Sequence, residues 1–156
     1  ALKILQDNGV KINALCELTP AKWEEVKSFV TDEILQKRAK HCVYENQRVL
    51  DAVDALKKGD LSQLGRLLNE SHKSLKEDYE VTGIELDTLA ESAQKQSGCL
   101  GARMTGAGFG GCAIALVHND KVDEFIKTVQ KEYTKIVGYE AGFFACETGD
   151  GVTRIS

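Results

Sequence analysis

From Ile34 to Leu56 apolar side chains return every three or four positions, through Leu35, Cys42, Val43, Val49, Leu50 and Val53. That spacing predicts one long amphipathic helix. Gly59 stops it, and Asp60 with Gln63 predicts a capped start for the next helix. The stripe of that second helix runs Leu61, Leu64, Leu67, Leu68 and Leu75. Thr82 and Glu85 read as a capping-box pair ahead of Ile84, Leu86, Leu89, Ala90 and Ala93. Upstream, Pro20 after Thr19 marks another helix start. The leucine stripes read as core rather than as a binding surface.

The last third changes period. Leu100, Ala102 and Met104 alternate as a strand does, and Cys112–Val117 is a short apolar run with the look of a buried strand. Val122, Phe125, Ile126, Val129, Tyr133 and Ile136 mark a further helix, closed by Gly138. Ala141–Cys146 is a third strand candidate; either Val152–Ile155 or Ile12–Leu15 supplies a fourth, and the pattern does not choose. The order predicts an α+β sandwich, an antiparallel sheet packed with helices after a helix-rich N-terminal part. No linker, repeat or low-complexity tract interrupts it, so residues 1–156 read as a single domain.

Composition narrows the partners. A net charge of -4 and the lack of any Lys/Arg block argue against a nucleic-acid surface. There is no apolar stretch of membrane-spanning length and no signal peptide, which points to a cytoplasmic protein. The five cysteines are an odd, scattered set without a C-x-x-C pair, as expected of buried reduced thiols. His41, His72 and His118 are equally scattered, so no metal site is expected.

Chemistry concentrates in Gly101–Cys112, GARMTGAGFGGC, where five of twelve residues are glycine. Glycine permits positive φ and close approach of backbone to a ligand, and costs entropy where neither is needed. The cluster therefore reads as bare backbone shaped to sit against something, with phosphate the leading candidate. Gly106-x-Gly108-x-x-Gly111 satisfies the dinucleotide pattern, but that pattern requires a helix next, and a strand follows instead. The glycine loop of protein kinases also joins two strands, yet Ala113, Ile114, Ala115 and Leu116 offer no phosphate-pairing lysine. A Gly-Lys-Ser/Thr triplet is absent too. A glycine-rich turn without a ligand remains the plain alternative, although hairpins need only one or two glycines.

The loop resembles the third motif of the GHMP small-molecule kinases, in the wording of their galactokinase branch. Two further stretches carry the same resemblance: Arg38-Ala-Lys-His-Cys-Val-Tyr-Glu-Asn-Gln-Arg-Val49, and Asn69-Glu-Ser-His-Lys-Ser-Leu-Lys-Glu-Asp-Tyr-Glu-Val81 with Glu85-Leu86-Asp87 after it. These matches are collinear and extend over essentially the whole chain. The resemblance implies a ferredoxin-like C-terminal domain of a kinase that uses ATP and Mg2+ to phosphorylate the C1 hydroxyl of galactose. It also implies that the catalytic aspartate, the metal ligands and most sugar contacts lie in an N-terminal domain. Ala1-Leu-Lys-Ile-Leu-Gln6 starts in helical spacing without a cap or Met, and reads as a truncation inside a helix.

On that resemblance Thr105, Gly106, Ala107, Gly108, Gly110 and Gly111 border the nucleotide side of the cleft, and no catalytic or metal-binding residue is expected within the chain. Arg103 precedes the loop and could reach an anion, but a strand-edge arginine more often pairs with a carboxylate, and the same structural role is expected of Arg48. Glu45, Asn46, His72, Asp78 and Tyr79 are expected to tie helices to the sheet, because buried polar groups need partners. The alternatives of a different class are a stand-alone ferredoxin-like module binding a small effector, and a helical interaction module using the leucine stripes.

Overall fold

The computed structural model describes residues 1–147 with Gly149, Gly151 and Arg154. Six helices carry most of the chain: α1 (Leu2–Asp7), α2 (Pro20–Val26), α3 (Glu33–Lys58), α4 (Leu61–Ser74), α5 (Ile84–Gln94) and α6 (Val122–Val137). A π-helical turn, Leu75–Tyr79, extends α4. Strands β1 (Cys99–Thr105) and β2 (Cys112–Val117) pair antiparallel, with Ala102 opposite Ala115 and Thr105 opposite Cys112.

Local signals place the helices. The Thr19 hydroxyl accepts from the Lys22 amide ahead of Pro20, and Asp32 and Asp60 accept from Leu35 N and Gln63 N. The expected Thr82/Glu85 capping box does not form. Gly83 occupies the cap position of α5 with φ 102° and no side-chain cap, while Thr82 turns inward and is buried. One left-handed residue at the turn displaces threonine from capping distance.

The core comes in three parts. Leu5, Leu18, Trp23, Val26, Val30, Ala39 and Val43 bind α1, α2 and α3 together. Ala93, Ala102, Phe125 and Val129 join the sheet to α5 and α6, while Leu75, Leu86 and Met104 close the end nearest the glycine loop. The stripe of α3 was expected to be core throughout. Its later turns instead expose Val49, Leu50, Val53 and Leu56, with Leu61 beside them. The α4 helix runs back along these later turns, with Ser71 reaching Glu45 and Ser74 reaching His41, and covers one side of them only.

The α+β arrangement with an antiparallel sheet and a helix-rich N-terminal part is as expected, but the sheet has two strands among the described residues. Ile12 and Leu15 pack into the N-terminal core instead of forming a strand, and Leu15–Glu17 is a 3-10 turn. Ala141–Cys146 is irregular. Phe143 packs against the cluster that holds Phe125 and Phe144 is 89% exposed, so the alternation survives without a ladder partner among the described residues to make it a strand. Val152–Ile155 lies outside the described residues.

The cysteines also differ from expectation. All five are free thiols; Cys16, Cys112 and Cys146 are exposed, and Cys42 and Cys99 are half-buried. Burial raises the pKa of both half-buried thiols, so they stay protonated.

Candidate functional site

The free edge of β1 leads into the glycine loop, and no third strand among the described residues covers it. Four side chains do. Ala102 N donates to Asn69 Oδ1 at 2.8 Å and Ala102 O accepts from Gln94 Nε2 at 2.8 Å. Met104 N donates to His72 Nδ1 at 3.2 Å, and Met104 O accepts from Arg103 Nε at 2.9 Å. Asn69 and His72 stand three apart on α4 and so share a face, while Ala102 and Met104 stand two apart on the strand and share an edge. The two spacings match closely enough for one helix to complete one strand.

Glycine at the crossing makes this possible. A Cβ on Gly101 would sit 2.1 Å from Gly65 O, and one on Gly65 would sit 2.0 Å from Leu100 O. Helix and strand therefore touch backbone to backbone.

Arg103 pairs with a carboxylate, as expected of a strand-edge arginine. Its Nη1 donates to Glu45 Oε1 at 3.0 Å, and Arg48 Nε donates to Glu45 Oε2 at 2.8 Å. Ser71 adds a hydroxyl bond to the same carboxylate. Burial pushes the Glu45 pKa up, but Ser71, Arg48 and Arg103 together overcome it and hold the carboxyl below its ordinary value. Glu45 thus links α3, α4 and β1.

A second polar chain runs from α3 to the π turn. Ser74 Oγ donates to Asp78 Oδ2 at 3.0 Å, which leaves its oxygen to accept from His41 Nδ1 at 3.0 Å. Tyr79 stacks on His41 with centroids 4.7 Å apart. Arg38 donates to Asp78 O and, at 2.6 Å, to Glu80 Oε2.

The loop hangs between β1 and the segment after the π turn. Thr105 is half-buried, Gly108 likewise, and Gly106, Ala107, Phe109, Gly110 and Gly111 are exposed. Gly106, Gly108, Phe109 and Gly110 have φ of 80°, 87°, 57° and 95°. Phe109 N donates to Val81 O at 2.8 Å; among the described residues' backbone bonds outside helices and strands, it is the one loop amide with an acceptor. A Cβ on Gly108 would lie 2.1 Å from Val81 O, whereas one on Gly106 or Gly110 would meet nothing within 4 Å. Gly108 thus serves a close packing contact, and Gly106 and Gly110 serve an open face. The loop carries no Asp or Glu, so its free amides suit phosphate oxygens rather than a cation.

Phe109, 78% exposed with left-handed backbone, rims a groove of about 680 Å³ with Ala107, Val81, Tyr79 and Arg38. Residue patterns missed Phe109, because its strain is visible only in the backbone. They also missed Asn69 and Gln94, although the i, i+3 pairing of Asn69 with His72 was a usable signal. No helix among the described residues is long and apolar enough to cross a membrane.

An antiparallel pair joined by an exposed glycine loop and edged by helix side chains matches the family model described as GHMP kinases C terminal, over residues 52–135. The chain belongs to that family. Among curated relatives, the galactokinase of Fusobacterium nucleatum is 51% identical over 99% of this chain and 40% of its own length. That of Clostridium beijerinckii is 56% identical over 92% of this chain and 37% of its own length. The crystal structure of Lactococcus lactis galactokinase complexed with galactose superposes with a TM-score of 0.89 at 55% identity, covering 92% of this chain and 37% of that one. L. major mevalonate kinase in complex with R-mevalonate is similar at a TM-score of 0.54 and 25% identity, over 86% of this chain and 35% of its own. The chain spans about 40% of the length of the galactokinases it matches.

Proposed function

We propose that this chain is the C-terminal part of a cytoplasmic galactokinase, which transfers the γ-phosphoryl group of ATP to the anomeric hydroxyl of galactose. The supporting observation is the loop: exposed left-handed backbone whose amides at Gly106, Ala107, Gly108, Gly110 and Gly111 have no backbone acceptor among the described residues. Identity above 50% to galactokinases over nearly the whole chain supports the substrate assignment.

Phosphoryl transfer asks a protein for positioning and charge stabilisation more than for covalent chemistry. In this reading Thr105, Gly106, Ala107, Gly108, Gly110 and Gly111 line the cleft and direct N–H groups at phosphate oxygens. Mg2+, when bound, would neutralise charge on those oxygens; the loop has no carboxylate to hold it, and the family resemblance assigns its ligands to the N-terminal domain. That domain is the partner of this one. The exposed stripe of Val49, Leu50, Val53, Leu56 and Leu61, together with exposed Phe109, supports a surface that another lobe covers. The chain alone binds ATP weakly and does not phosphorylate galactose.

The loop is tested at Gly110, where added side-chain atoms strain φ but meet no neighbour. In the full-length enzyme Gly110→Val should lower kcat at least about tenfold while the melting temperature falls by only a few degrees, since one left-handed non-glycine residue costs about 1–2 kcal/mol. Unchanged kcat in that variant, or galactose turnover by the purified 156-residue chain, would refute the reading. Gly108 is a poor probe, because its clash with Val81 O would damage folding and activity together.

A further inference from the structure

We propose that His72 is a positioning residue for the phosphoryl-transfer loop, and that only its neutral form, protonated on Nε2, holds the loop in place. The inference rests on the reading of the 105–111 loop given above.

His72 is 2% exposed and sits where α4, α5 and β1 meet. Its Nδ1 accepts the Met104 amide at 3.2 Å, one residue before Thr105 and two before the first loop glycine. A ring nitrogen that accepts carries no proton, so the proton belongs on Nε2. Nε2 faces Asp87 Oδ1 at 3.4 Å without a hydrogen bond, and both atoms are buried with no other partner among the described residues.

Four charged groups face the ring: Asp87 and Glu91 from α5, Lys76 from the π turn and Arg103 from β1. Lys76 itself pairs with Glu91 and lies 3.4 Å from Asp87 Oδ2, so the carboxylates are already partly answered. Burial dominates and lowers the His72 pKa. Protonation at low pH would turn the Nδ1 acceptor into a donor aimed at the Met104 N–H. Two donors would then face each other across 3.2 Å at a buried ring.

Loss of that bond does not dissolve the sheet, because Asn69 and Gln94 hold Ala102 independently. It loosens only the outer edge of the last residues of β1, whose inner edge stays paired with Ala113 and Cys112. The far end of the loop stays tied by Phe109 N to Val81 O. The loop would therefore shift about the two ties that remain, the Thr105–Cys112 pair at its base and the Val81 bond, and a displacement near 1 Å is enough to slow transfer severely.

Met104 is the only methionine of this chain, so 15N-methionine labelling gives one amide resonance. In the wild-type chain that resonance should shift along the same titration curve as the His72 ring below about pH 6.5. In the full-length enzyme His72→Leu should lower kcat about tenfold or more, with KM for galactose within twofold of wild type. His72→Asn, whose amide oxygen replaces Nδ1 and does not titrate, should recover most of the loss and lack the acid limb of the wild-type pH profile. The proposal is overturned if the Met104 amide ignores the His72 titration, if folded His72→Leu keeps wild-type kcat, or if His72→Asn keeps the acid limb. Gly110→Val in the same assay separates the two readings. Wild-type kcat there sinks the loop assignment and the kinetic half of this proposal, while the Met104 titration still judges the bond.

Discussion

Gly65→Ala sets two effects of opposite sign against each other. Gly65 lies inside α4, where alanine is favoured over glycine by about 1 kcal/mol. On helix propensity alone the variant is stabilised. The built contact says otherwise, since the new Cβ would lie 2.0 Å from Leu100 O and 2.4 Å from Leu100 C. Reaching an ordinary 3.4 Å requires α4 and β1 to separate by about 1.4 Å. That separation stretches the Asn69–Ala102 bond of 2.8 Å and the His72–Met104 bond of 3.2 Å past hydrogen-bonding distance. Overpacking of this kind costs about 1–3 kcal/mol, and each bond adds about 1 kcal/mol when lost. After the propensity gain is deducted, a net destabilisation of about 3 kcal/mol is expected. Urea unfolding followed by far-UV circular dichroism measures it directly, as a lower midpoint at constant slope. A neutral or stabilised Gly65→Ala would show that helix and strand do not meet backbone to backbone.

Acid should weaken the fold in two stages. Burial lowers the pKa of His41 and His72, so the unfolded chain takes protons more readily than the folded one. Stability is then complete above about pH 6.5 and falls as pH drops toward the lowered folded values. The lowered Glu45 pKa acts the same way from about pH 4.5 downward. Urea midpoints at pH 7.5, 6.0 and 5.0 should fall in order, and a flat series down to pH 5 would contradict the burial of both rings. Phe109→Gly should stabilise the chain by about 1 kcal/mol, because it relieves φ 57° and gives up a side chain that is 78% exposed. The same variant should lower turnover in the full-length enzyme, and calorimetry beside a kinase assay checks both halves.

What was legible in the sequence was local. The Thr19–Pro20 start, the Asp60 cap and the 26-residue α3 follow from residues within a few positions of one another, and each stands where expected. Thr82 and Glu85 failed for an equally local reason, the left-handed Gly83 between them. Apolar spacing identified a stripe on α3 but not its partner. Ala39 and Val43 are buried by α1 and α2, while Val49 and Val53 lie on a side of α3 that the described residues leave exposed. Periodicity reports which side of a helix is apolar; it carries no information on whether another element reaches that side.

The loop divides along the same line. Glycine density announced bare backbone, and the backbone is bare and left-handed at Gly106 and Gly110. Density could not say that Gly108 is spent on Val81 O, more than twenty residues back in the chain. Nor could any strand pattern show that β1 has side chains in place of a neighbouring strand. A strand edge can be completed by any donors and acceptors at the right height, and a helix supplies them at 5.4 Å per turn where a strand spends about 6.6 Å per pair. Asn69 and His72 meet that spacing only because Gly65 and Gly101 let the two backbones touch. Gly101, which looks like part of the ligand loop, the helical Gly65 and the polar residues that look like helix ties are thus one device. Gly65 and Gly101 set the distance, Asn69 and His72 use it, and the position of the loop that follows is the result.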